Sequence, residues 1–169
     1  MKRFVLSMIL LLTFLVPAKV FAEYDATYDW DNDQTYQALA EDFRKYSVCQ
    51  AIYRNLSVFV AIHYGIGDNL GYPQEWLQQQ KLLLQNANSQ EVIFGEKTER
   101  TIQQLMLTYD LPYQMLDAQR TKNQAGTTQS IMFSLAPGSQ DPNLSSVVIK
   151  GILTESSNCQ VYQEKGTYE

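Results

Sequence analysis

The side chains best suited to catalysis in this 169-residue sequence are one histidine, two cysteines and a few closely spaced acids. His63 is the only histidine, so a Ser–His–Asp hydrolase would have to use it as its base. No G-x-S-x-G motif, which presents the nucleophile in one large class of hydrolases, accompanies it. His63 also falls on an apolar helical face, which favours a packing role. We therefore expect no catalytic residue, and an enzyme that uses His63 is an alternative.

Two groups of acidic residues resemble functional motifs. Asp29 begins a D-x-D-x-D run like that of a calcium loop, but an EF-hand needs glycine at position six and glutamate at position twelve. Gln34 and Ala40 occupy those positions, so the acids are expected to favour a helix N-terminus through its dipole. Glu96 and Glu99 have the spacing of one helical turn, where neighbouring lysine and arginine favour solvated ion pairs over a glycosidase pair.

Cys49 and Cys159 are the only cysteines. In an exported protein, two cysteines are most simply one disulfide, and a catalytic cysteine is the rival interpretation. With one histidine and paired cysteines, the sequence lacks the ligands of an ordinary zinc site. No C-x-x-C-H haem motif is present either. We therefore expect a Cys49–Cys159 disulfide, no metal site and no cofactor.

The first 22 residues have the pattern of a secretory signal peptide. Lys2 and Arg3 precede an apolar segment that is too short to span a bilayer, and Val20 and Ala22 fit a cleavage site. The sequence predicts a signal peptide over 1–22 and a single helical domain over 23–169. We expect a periplasmic protein of a Gram-negative bacterium, with secretion as the alternative and no membrane association after cleavage.

The charge balance bears on partners. The formal net charge is −5, and loss of the basic residues in the leader would leave the remaining chain more acidic. Such a chain repels phosphate backbones and anionic membrane surfaces, so nucleic-acid binding is not expected. Basic protein partners are favoured, although acidity also serves solubility.

Apolar residues at steps of three and four predict a long helix over 33–64 that carries Cys49 and begins at Asn32 or Asp33. The glycine-rich segment 65–71 is predicted to end it as a loop. A second helix should open at Pro73 and end in the polar run 85–89.

A third helix is expected over 97–110, with Pro112 forcing a break. Polar residues over 121–128 have the composition of a linker, and the alternation of Ile131, Phe133 and Leu135 favours a strand. A turn at 136–139 should precede a last helix opening at Asp141-Pro142. The fold class is therefore mainly α: a helical bundle of four to five helices with one disulfide. A short β-hairpin in the C-terminal third is the alternative for residues 129–155.

Residues 77–112 resemble small helical peptidoglycan-binding modules. The residues concerned are Leu77-Gln78, Phe94-Gly95-Glu96-Lys97-Thr98, Thr101-Ile102, Leu105 and Leu111-Pro112. In those modules an aromatic-glycine-x-x-threonine turn opens a helix. The usual Asp-Gly before the aromatic residue is missing here. The resemblance implies peptidoglycan as an alternative ligand.

The two ends of the chain are similar to a periplasmic immunity family that neutralises cell-wall amidase effectors of type VI secretion. The segments are Cys49-Gln50-Ala51-Ile52-Tyr53-Arg54 and Lys150-Gly151-Ile152 with Cys159 and Tyr162. The resemblance implies a non-enzymatic inhibitor that dimerises and inserts a loop into a toxin's cleft. We therefore expect an exported binding protein whose partner is a basic cell-wall hydrolase. Because it joins two long helices, the loop containing Ile66, Asp68, Asn69 and Leu70 is the predicted contact.

Overall fold

The computed structural model describes residues 29–134 and 144–163, which form four α-helices. These are α1 (Gln34–Asn69), α2 (Gln74–Tyr109), α3 (Tyr113–Ser134) and α4 (Leu144–Gln160). The described ranges contain no strand, so the mainly α prediction is confirmed. The predicted signal peptide, and the predicted turn at 136–139, lie outside the described residues.

Helix α1 is the central element, because each of the other helices packs against it. Asp33 is its N-cap: the Asp33 carboxylate accepts a hydrogen bond from the Tyr36 N–H at 2.8 Å. The same carboxylate accepts from the Tyr109 hydroxyl at 3.1 Å, which links the beginning of α1 to the end of α2. The sequence-based assignment of this helix start is therefore confirmed.

The predicted loop over 65–71 is wrong, since α1 continues through Gly65 and Gly67 to Asn69. The left-handed residue that ends the helix is Gly71, with φ of 69°. The Gly71 N–H donates to the Asp68 carbonyl and the Tyr72 N–H donates to the Gly67 carbonyl, the bonding pattern of a Schellman motif. The glycine that matters for termination is thus the last of the three.

The predicted break at 85–89 is also wrong, because α2 is one helix of 36 residues. Ala87 in that polar run is 1% exposed and packs in the core. The apolar face therefore continues from Leu83 and Leu84 through Ala87 to Phe94, and packing outweighs the weak helix propensity of the polar residues between them. The predicted break at Pro112 is confirmed, with α2 ending at Tyr109 and α3 beginning at Tyr113.

Residues 121–128 are not a linker, and residues 131–134 are not a strand, because both belong to α3. The face of α3 toward α1 is largely polar. Its side chains bond at helical spacing: Asn123 donates to Ser47 at 3.0 Å, Gln124 donates to Gln50 at 2.8 Å, and Thr128 accepts from Asn55 at 3.0 Å. A search for apolar periodicity cannot detect such a face. The predicted last helix is present as α4.

The core consists of two clusters along α1. The larger joins α1 to α2, α3 and α4 and contains the stacked rings of Tyr53 and Phe94, whose centroids are 5.7 Å apart. The smaller lies around Phe43, Ile102 and Leu105, near the beginning of α1. Within the larger cluster Cys49 and Cys159 form a disulfide with a Cα–Cα distance of 5.7 Å, as the sequence predicted.

Candidate partner-binding surface

The end of α1 and the beginning of α2 are held together by aromatic packing. The Trp76 indole makes edge contacts with His63 at 5.0 Å and with Tyr72 at 4.9 Å between ring centroids. Gly67 is buried beneath this indole: a Cβ atom there would lie 2.2 Å from Trp76 Cζ3. Only glycine therefore lets Trp76 approach α1 so closely. We call His63, Gly67, Tyr72 and Trp76 the Trp76 cluster.

The Trp76 cluster accounts for His63, the residue that sequence reasoning singled out as a possible base. His63 is half-buried against Trp76 in the last third of α1, which is the packing role that its spacing predicted. Among the described residues, no group of three or more His, Cys, Asp or Glu side chains is placed to hold a metal ion. His63 contributes to the shape of this end of the molecule.

On the outer side of α1 and at its C-cap residue Leu70, four large apolar side chains are exposed at intervals of four residues. Val58 is 52% exposed, Ile62 56%, Ile66 49% and Leu70 66%. This spacing places them along one stripe of about 18 Å, at 1.5 Å per residue. We call these four residues the α1 stripe. Isolated exposed apolar residues are ordinary, but a continuous row of them is typical of an interaction surface.

The residues predicted as partner contacts divide at this surface. Ile66 and Leu70 belong to the α1 stripe, whereas the exposed Asp68 and Asn69 lie in the last helical turn beside it. These residues therefore lie at the end of a helix and not in a protruding loop, because Gly71 and not Gly65 terminates α1. Sequence reasoning missed Val58 and Ile62, because it considered only the apolar residues on one face of this helix. The sequence did contain one indication of this surface: the four-residue spacing of Val58 and Ile62 continues through Ile66 to Leu70.

The two ends of the α1 stripe differ in charge, because the exposed Arg54 lies one helical turn before Val58 and acids lie near Leu70. No lysine or arginine occurs between Arg54 and Lys81, and the charged residues in that interval are Asp68 and Glu75. Both acids are exposed at the end of the molecule where α1 meets α2. The apolar stripe therefore leads into a surface that attracts cationic groups.

The residues of the two sequence resemblances also have defined places. Phe94 and Thr98 are fully buried within the uninterrupted α2, so the aromatic-glycine-x-x-threonine turn of the peptidoglycan-binding modules is not formed. Glu96 pairs with Arg100 at 3.7 Å, and Glu99 pairs with Arg120 at 3.3 Å, consistent with ion pairs on the surface. Lys97 donates to the carbonyls of Tyr162 and Gln163, just past the end of α4.

The fold and this surface define a disulfide-linked, mainly α bundle with an exposed apolar row on its central helix. None of the helices in the described ranges is long and apolar enough to cross a bilayer. The disulfide is consistent with an oxidising compartment such as the periplasm or the extracellular space. No protein-family model matches the chain, and no curated protein or solved structure is significantly similar to it.

Proposed function

We propose that this is an exported periplasmic binding protein that acts by protein–protein contact through the α1 stripe. The observation that carries the proposal is the row of four exposed apolar side chains on a helix whose end is fixed by Gly71 and by the Trp76 cluster. Because the backbone of this surface is already ordered, a partner would bind it without a large entropic cost of ordering.

The partner we propose is a basic protein of the cell-wall-degrading class, which this protein would inhibit. The absence of lysine and arginine from residues 55–80, and the net charge of −5, support a cationic partner surface. Apolar contact at the α1 stripe would supply most of the affinity, and the acids at its end would steer the encounter. The on-rate should therefore fall as salt concentration rises.

The test combines capture with inhibition. Tagged full-length protein expressed in its source strain is cross-linked, and captured proteins are identified and then assayed as purified enzymes on cell walls. Ile62→Asp together with Ile66→Asp should abolish both capture and inhibition of a basic hydrolase. The matched control is Leu107→Asp, which alters an 87% exposed leucine on α2 and should leave both unchanged.

Two results would overturn the proposal. One is equal capture and inhibition by the stripe variant and the Leu107 control. The other is a dimer, measured by sedimentation, that dissociates in the stripe variant while hydrolase inhibition is unaffected. The stripe would then be covered by a second copy of the chain.

A further inference from the structure

A second feature lies on another side of α1, where α3 and α4 both pack against it but leave a space between them. This space is a cavity of about 700 Å³, open to solvent and lined by residues of all three helices. We call it the α3–α4 groove. Its volume falls in the range of small-molecule sites, roughly 300–1,000 Å³.

The α3–α4 groove is apolar along its floor and walls. Ile52 of α1, Ile131 of α3 and Val148 and Ile152 of α4 line it and are buried. Gly126 and Gly151 line the two opposing helices, and a Cβ atom at either position would meet nothing within 4 Å. Both glycines are exposed and helical. The packing of the bundle does not require glycine at either position, and the lack of a side chain there leaves open space in the groove.

Charge is unevenly distributed along the groove. The hydrogen bond between Ser47 and Asn123 shows which parts of α1 and α3 lie side by side. Arg44 and Lys122 line the groove and come just before those two residues in their helices. They therefore lie at the end of the groove nearest the beginning of α1. The disulfide fixes Cys159 of α4 beside Cys49 of α1. Val148 comes 11 residues earlier in α4, so at 1.5 Å per residue it lies about 16 Å from Cys159, toward the other end of the groove. One end of the groove is therefore cationic and the other apolar.

Other charges near this end modify the balance without reversing it. Arg44 is paired with Glu41 at 3.0 Å, and Lys45 is paired with the same carboxylate at 3.1 Å. Glu155 lines the groove further along, at the level of the bond between Tyr53 and Ser156. Arg44 and Lys122 are thus the two cations among the described lining residues, Lys45 shares the Glu41 carboxylate with Arg44, and the acid among those lining residues, Glu155, lies away from this end.

From this arrangement we infer that the α3–α4 groove binds a fatty-acid-like carboxylate, with its head at Arg44 and Lys122 and its chain along Ile52 toward Val148. The acyl chain would be buried against the apolar floor, and the carboxylate would accept hydrogen bonds from the two cations. This site is separate from the α1 stripe and does not depend on the protein-binding proposal.

The test uses laurate as the probe, with dodecanol and dodecylamine as neutral and cationic analogues of the same chain. Binding to the full chain is followed by displacement of a fluorescent fatty acid. Gly126→Leu and Gly151→Leu should each fill the groove and weaken laurate binding at least tenfold. Gly65→Leu is the matched control, because Gly65 is also helical with nothing within 4 Å of a Cβ position and does not line the groove.

Lys122→Glu tests the head position. It should weaken laurate binding at least fivefold, because it removes one exposed charge contact and places a repelling carboxylate beside the head, and it should leave dodecanol binding unchanged. Thermal melting of each variant shows whether it is folded. The inference is overturned if laurate does not bind, if the folded groove variants bind it as the Gly65 control does, or if dodecanol or dodecylamine binds as tightly as laurate.

Discussion

At the scale of single residues, the glycines of this protein have different roles that their sequence context conceals. Gly65, Gly67 and Gly71 occur within seven residues, and together they suggested a loop. In the structure Gly71 supplies a left-handed turn, Gly67 admits the Trp76 indole, and Gly65 meets no neighbour. Adding a side chain at these three positions should therefore change the free energy of unfolding by different amounts.

Alanine at two of these positions should have opposite effects. Gly65→Ala should raise the free energy of unfolding by up to about 1 kcal/mol, because alanine favours the helix and loses less backbone entropy. Gly67→Ala should lower it by about 1–3 kcal/mol, because the added Cβ forces the Trp76 ring to move. Urea denaturation monitored by circular dichroism measures both values. Similar effects of the two substitutions would contradict the packing role of Gly67.

At the scale of helices, α3 is attached to α1 differently from the other helices. Phe94 of α2, and Val148 and Ile152 of α4, reach the larger core cluster as buried apolar side chains. Helix α3 contributes Ile131 to that cluster, and hydrogen bonds from Asn123 and Gln124 make up much of its remaining contact with α1. A polar contact has a smaller net free energy than apolar burial of comparable size. We therefore expect α3 to open more readily than α1 or α2.

Hydrogen exchange can test this difference. Asn123→Ala removes the bond to Ser47 and should lower the protection of α3 amides about fivefold, the equivalent of roughly 1 kcal/mol, with a smaller change in α1 and α2. Asn86→Ala, at an exposed position of α2, is the control. Uniform loss of protection in all helices would show that α3 does not open independently.

The same contrast explains what the sequence could predict. The apolar face of α1, the cap at Asp33 and the break at Pro112 follow from local periodicity and stereochemistry, and all three are present. The continuity of α2 through Ala87 and the helical state of residues 121–134 depend on contacts with α1 that are distant in the sequence. The exposure of the α1 stripe could not be predicted from the sequence alone, because it depends on which side of α1 the other helices cover.

At the scale of the whole molecule, the disulfide joins the middle of the central helix to the end of the last one. Cys49 and Cys159 are separated by 110 residues, and each is 2% exposed. Closing a loop of that length should stabilise the folded state by roughly 4–5 kcal/mol in the chain-entropy model. This is a large part of the ~5–15 kcal/mol typical of a domain.

The double substitution Cys49→Ala with Cys159→Ala should therefore markedly lower the melting temperature and the urea midpoint. The single variants should be at least as unstable, because each leaves an unpaired thiol in the core. Calorimetry of the oxidised protein and the double variant gives the comparison. An unchanged melting curve, or two thiols that react in the native oxidised protein, would contradict the structural role of this bond.

Alkaline conditions should weaken the fold at both core clusters. Burial raises the pKa of the Tyr36 and Tyr53 hydroxyls, and burial followed by the bond to Asp33 raises the pKa of Tyr109. A raised pKa in the folded state means that the stabilisation is fully present below the ordinary tyrosine value of about 10 and is lost as pH rises through the folded value. Burial lowers the pKa of Lys97, which acts in the opposite direction but is a single group.

The free energy of unfolding should therefore fall above about pH 10, the ordinary tyrosine pKa. Tyr53→Phe should make that fall shallower, because it removes one of the three groups, while costing about 1 kcal/mol near neutrality through loss of the bond to the Ser156 carbonyl. Urea denaturation at a series of pH values measures the slope, with Tyr113→Phe at an exposed position as the control. A slope that Tyr53→Phe leaves unchanged would show that the Tyr53 hydroxyl ionises equally well in the folded and unfolded chains. The larger core cluster would then not be the origin of the alkaline instability.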